Sequence, residues 1–111
     1  MKHPTFNDAF LEKEGIDYSS FKERTRQLLE EGKPTSGDAE KMPELLDFTK
    51  LNLKRMDRLP KQVEIGHAIT EKLLMLPEEL TWVVLVEGWC GDVAQNLPII
   101  AKMAELTDHV R

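Results

Sequence analysis

One cysteine in a chain of 111 residues excludes an internal disulfide. The setting expected from this is a reducing one, the cytoplasm, where a thiol stays free. Apolar runs are short. None reaches the ~18 residues that mark a membrane span, and the opening "MKHPTFNDAF" lacks the apolar stretch of a secretory signal. Positive charge is not in excess either: 15 Lys and Arg stand against 20 Asp and Glu, for a net charge of −5. That balance argues against nucleic acid or an anionic membrane surface as a partner. His3, His67 and His109 are far apart, with no ligand spacing and no second cysteine. No metal and no other cofactor is expected.

What is present suffices for a core. Hydrophobic residues make up 41% of the chain, which places it among folded domains, as one small domain or part of one. "FNDAFLEKEG" predicts a helical turn or two ending at Gly15. Ser20 and Glu23 have capping-box spacing, and Gly32 with Pro34 forms a stop, so a helix is predicted at about 20–31. "GKPTSGDAEK" follows as a loop. Pro43 suits the first turn of a second helix, predicted at about 43–58 and ended by Pro60. On it Leu45, Phe48, Asn52, Met56 and Leu59 form one row, flanked by Leu46, Thr49 and Leu53. Lys50, Lys54, Arg58 and Lys61 form a basic stripe that reads as a solvated face.

"KQVEI" alternates like a short strand. "GHAITEKLLML" predicts a short helix with Ile69, Leu73 and Leu76 inward, closed by Pro77. "TWVVLVE" is the clearest strand. Its continuous apolar run, Val83 to Val86, is the pattern of an interior strand covered on both faces. It leads straight into Trp89 and Cys90, then into an unusually apolar helix that runs to about Leu106. Trp82 reads as packing at the strand start.

A cysteine between a strand and a helix has a physical advantage. The first amide groups of a helix lack intrahelical partners, and its dipole favours negative charge there, so a thiolate is stabilised. Gly91 leaves the approach open. Asp92 has opposed effects: it suits a helix N-terminus, and it sets a carboxylate beside the sulfur. The alternative reading of Cys90 is a buried, inert small hydrophobe.

"WVVLVEGWCGDVAQNLPIIAKMAEL" resembles the active-site strand and helix of thioredoxin-like proteins, whose usual motif is W-C-G-P-C. Trp89, Cys90 and Gly91 fall on its first three positions, and Pro98 falls on the proline that kinks the family's active-site helix. The fit is best with a bacterial group that reads W-C-G-D and lacks the second cysteine. Asp92 stands at the motif proline, Val93 at the resolving cysteine, and Val84 where the family has a buried acid; Glu87 is a substitute nearer the sulfur. The resemblance is good over about 65–106.

The resemblance implies an α/β thioredoxin-like fold, incomplete and helix-dominated here. Residues 1–58 form a helical N-terminal extension, and 59–111 the N-terminal part of the domain, without the family's later strands and cis-proline loop. It also implies a monothiol redox or thiol-exchange protein, with Cys90 as catalytic nucleophile, Trp89, Gly91 and Asp92 around the substrate, and Val93 and Pro98 in structural roles. The partner is then a protein or low-molecular-weight thiol or disulfide, and an external thiol releases the product. The exposed strand and apolar helix are expected to drive self-association into a homo-oligomer. The competing reading is a redox-inactive binding module on the same scaffold, with the helices at 20–58 as its interface.

Overall fold

A computed structural model describes residues 7–111; His3 lies outside the described residues. The described residues form five helices: α1 (Asp8–Glu14), α2 (Tyr18–Glu30), α3 (Glu44–Gln62), α4 (His67–Leu74) and α5 (Gly91–Glu105).

Local chemistry explains most helix ends. Asn7 caps α1 by accepting from the Phe10 amide at 2.8 Å. Asp17, rather than Ser20, caps α2: its carboxylate accepts from the Ser20 amide at 2.7 Å, and these bonds hold the Asp17 carboxyl below its usual range. Helix α2 therefore begins two residues before the expected start. It ends as anticipated at Gly32, whose φ of 71° is a conformation open to glycine at little cost. There Lys33 N–H donates to Leu28 O at 2.7 Å, and Gly32 N–H to Leu29 O at 2.9 Å, which closes the last turn.

Pro60 does not end α3, which continues to Gln62. A proline in the last turn removes only one late hydrogen bond. In addition, the Lys102 ammonium of α5 donates to the carbonyl oxygens of Pro60 and Val63, so the end of α3 is held by a charge from the facing helix.

The core is helix on helix. Phe21 from α2, Leu53 and Met56 from α3, and Ala94 and Leu97 from α5 form one buried cluster, with Tyr18, Leu29, Val86 and Val93 packed against it. Helix α3 packs against both α5 and α2. Its buried stripe is Leu45, Thr49, Asn52, Leu53 and Met56. Phe48, expected on that stripe, is exposed, because the contact face is rotated towards Thr49 and Leu53. The buried hydroxyls of Thr25 and Thr49 donate back to the carbonyls of Phe21 and Leu45, which leaves their methyl groups for the core. Lys22 and Arg26 of α2 pair with Asp57 of α3, and the Lys22 ammonium in particular holds the Asp57 carboxyl below its usual range. The basic stripe of Lys50, Lys54, Arg58 and Lys61 is exposed, as a solvated face should be.

Three expectations for the middle of the chain fail. Lys61 and Gln62 belong to α3, and the rest of "KQVEI" is loop. In α4 only Leu73 is buried, while Ile69 faces solvent. The stretch 81–87 is not a covered strand: Val83, Val84 and Leu85 are exposed, Leu85 at 80%. Its one sheet-like feature is a parallel bridge between Leu80 and Val110. Leu80 N–H donates to His109 O, Arg111 N–H to Leu80 O, and Trp82 N–H to Arg111 O. The α/β sheet expected from the sequence is therefore not formed among the described residues. An apolar run becomes an interior strand only where neighbouring strands take its amide and carbonyl groups, and here only 80–82 have them.

Tyr18 offers a test of this packing. Its hydroxyl is buried and has no hydrogen-bond partner. Burial, with the carboxylates of Asp57 and Glu105 nearby, pushes its ionisation up to about 12. A buried hydroxyl without a partner costs about 1–3 kcal/mol. We expect Tyr18→Phe to unfold at equal or higher urea concentration than the wild type. A loss of more than about 1 kcal/mol in that titration means that the hydroxyl has a partner after all.

Candidate functional site

The candidate site is the turn that joins 81–87 to α5. Cys90 is the N-cap residue of α5, with φ −83° and ψ 118°. Its carbonyl starts the helix by accepting from Ala94 N–H at 3.2 Å, and its own N–H closes the turn onto Glu87 O at 3.2 Å. The thiol is free, half-buried, and makes no capping hydrogen bond. It therefore stands at the positive end of a 15-residue helix.

The turn is held from outside. Gly88 is buried, and both its backbone groups are bound by side chains distant in sequence. Its N–H donates to Thr35 Oγ1 at 2.9 Å, and the Thr35 hydroxyl donates on to Glu87 Oε2 at 2.7 Å. Its carbonyl accepts from Asn52 Nδ2 at 3.0 Å. Asn52 is 2% exposed, and its Oδ1 accepts in turn from Arg55 Nη1 at 3.2 Å. The loop between α2 and α3 and the middle of α3 thus clamp one glycine, two residues before the thiol. A side chain here would force its neighbours to shift: a Cβ on Gly88 would lie 2.6 Å from Thr25 Cγ2 and 3.2 Å from Thr35 Cγ2.

The residues singled out from the sequence occupy one short stretch but play different parts. Trp89 is half-buried, and its Nε1 is enclosed without a hydrogen-bond partner. Gly91 opens α5, and a side chain there would touch Arg55 Nη1 at an ordinary 3.5 Å. Asp92 is exposed in the first turn, where its charge suits the helix, and its carbonyl accepts from Asn96 Nδ2. Val93 packs against the core cluster, and Pro98 is buried inside α5. Glu87 is engaged by Thr35. Among the described residues, no group of three or more His, Cys, Asp or Glu side chains gathers as a metal site.

Thr35, Asn52, Arg55 and Gly88 were not singled out as site residues. One of them carried a signal. Asn52 is the polar member of the row Leu45, Phe48, Asn52, Met56 and Leu59, and a buried amide on an apolar row needs a partner. The sequence did not say which partner.

Trp89, Cys90 and Gly91 at the start of an apolar helix that carries Pro98 match the placement that the thioredoxin-like resemblance implied. In agreement, the family model described as Thioredoxin matches residues 39–111, well over half of the chain. The chain belongs to the thioredoxin family. No curated protein and no solved structure matches it.

Proposed function

We propose that this chain is a monothiol thiol-exchange protein of the thioredoxin family, of the W-C-G-D type, with Cys90 as nucleophile. The observation that carries the reading is the position of a free, half-buried thiol at the N-cap of α5. Its thiolate attacks one sulfur of a partner disulfide. A mixed disulfide forms with Cys90, and the other sulfur leaves as a thiolate. Val93 packs at the place of the resolving cysteine, so an external thiol must attack the mixed disulfide, return Cys90 as thiolate and carry away the partner's sulfur. Trp89, Gly91 and Asp92 flank the reacting sulfur.

The parallel pairing of 80–82 with 109–111, on either side of α5, supports a thioredoxin-like reading of 59–111, with 1–58 as a helical extension. The exposed Val83–Leu85 segment supports self-association. No helix among the described residues is long and apolar enough to cross a membrane; a cytoplasmic setting belongs to the proposal and rests on the lone cysteine.

The test is alkylation of the folded chain by iodoacetamide at pH 7. Cys90 should react faster than a free low-molecular-weight thiol under the same conditions. Silence until denaturant is added sinks the redox reading and leaves a binding module on the thioredoxin scaffold.

A further inference from the structure

Arg55 is a half-buried guanidinium placed by the same clamp that holds the Cys90 turn. Its Nη1 donates to Oδ1 of the buried Asn52, whose Nδ2 is spent on Gly88 O. The same Nη1 lies 3.5 Å from where a Gly91 side chain would begin, so the charge stands against the residue that follows the cysteine. Among the described residues no carboxylate comes within 4.0 Å of it. Arg26 and Arg111, by contrast, pair with Glu23, Asp57 and Asp8. The two carboxylates nearest in sequence to Cys90 are otherwise disposed: Glu87 accepts from Thr35, and Asp92 is exposed on the first turn of α5. A guanidinium held by one hydrogen bond keeps its remaining donors for other acceptors, and its planar fork suits a carboxylate.

We infer that Arg55 is the specificity-determining residue of the Cys90 site, selecting thiol and disulfide partners that carry a carboxylate close to the exchanging sulfur. This rests on the exchange reading above. Asn52 acts through Arg55 and Gly88 and is a positioning residue: it joins the charge and the thiol turn into one unit, so that one cannot shift without the other. Lys at this place would keep the charge and lose the fork.

Two isosteric reagents test it on the intact chain. Iodoacetate carries a carboxylate and iodoacetamide a neutral amide at the same distance from the reacting carbon. The readout is the ratio of their rates at Cys90, which a merely structural role of Arg55 leaves unmoved. The charges of Glu87 and Asp92 act on both variants alike and cancel in the comparison. Arg55→Gln should lower the iodoacetate-to-iodoacetamide ratio roughly three- to tenfold, the range for one charge several ångströms away at a protein surface. Arg55→Lys should keep most of the wild-type ratio. Salt at 1 M should bring the wild-type ratio towards that of Arg55→Gln, because exposed charges are then screened within about 3 Å. An unchanged ratio in Arg55→Gln, with Cys90 still reactive, overturns the role of Arg55 and leaves the exchange reading standing. A wild-type Cys90 silent to both reagents in the folded chain overturns both.

Discussion

Cys90→Ser is expected to abolish mixed-disulfide formation with an aromatic disulfide reagent while leaving the fold at least as stable as before. The two halves have separate causes. The exchange chemistry belongs to the only sulfur of its kind in the chain, and no other side chain can form the bond. Stability follows a different rule. Cys90 is the N-cap of α5 and makes no capping hydrogen bond. Serine is among the favoured N-cap residues, since its oxygen accepts from an amide of the first turn that otherwise has no intrahelical partner. The gain is up to about 1 kcal/mol in urea unfolding. Loss of exchange together with equal or greater stability identifies a residue kept for chemistry. A loss of more than about 1 kcal/mol instead identifies Cys90 as a packing residue, in line with the inert reading of a lone cysteine.

The second large effect lies two residues earlier. Gly88→Ala should destabilise the chain by about 1–3 kcal/mol, the usual cost of overpacking a filled site. The added methyl would stand 2.6 Å from Thr25 Cγ2, closer than a carbon contact allows. Thr25 cannot step aside, being 1% exposed and tied by its hydroxyl to Phe21 O at 2.8 Å. If the backbone moves instead, the bonds from Gly88 N–H to Thr35 and from Asn52 to Gly88 O lengthen together. The turn that presents Cys90 then moves as well, so alkylation of the folded chain should change along with stability. Thr25→Ser in the same chain removes the offending methyl and keeps the hydroxyl's bond. The double variant should therefore recover much of the loss. A Gly88→Ala chain as stable as the wild type, or one that Thr25→Ser does not help, contradicts this account of the turn.

Both predictions concern one turn, and they show how structure and chemistry divide there. In the proposed exchange the cysteine does the chemistry, and its replacement by serine is expected to cost the fold nothing. The glycine does no chemistry, and its lack of a side chain lets Thr25, Thr35 and Asn52 converge on it. Asn52 is the hinge between them, because it meets the backbone with one end of its amide and Arg55 with the other. A buried amide of this kind imposes direction that apolar contacts do not, since both its donor and its acceptor must be met at hydrogen-bond geometry.

What the sequence alone determined is whatever short-range chemistry controls. Gly15 and Gly32 end helices where glycine should, and a helix begins at Cys90 and carries Pro98 within it. Caps and stops act within four or five residues, so their pattern survives in any surrounding structure. Even there the cap differed from the one expected: Asp17 accepts from the Ser20 amide, which places Ser20 inside the first turn of α2. Tertiary structure decided the rest. It turned Phe48 and Ile69 outward, although their spacing fitted a buried stripe, because the face used is set by the helix opposite. It left Val83–Leu85 exposed, because an interior strand needs neighbours that no local run can supply. It also brought Asn52 and Thr35 to Gly88 across 36 and 53 residues of chain. No periodicity or capping rule reaches across that separation, so the thiol was legible in the sequence and the clamp that presents it was not.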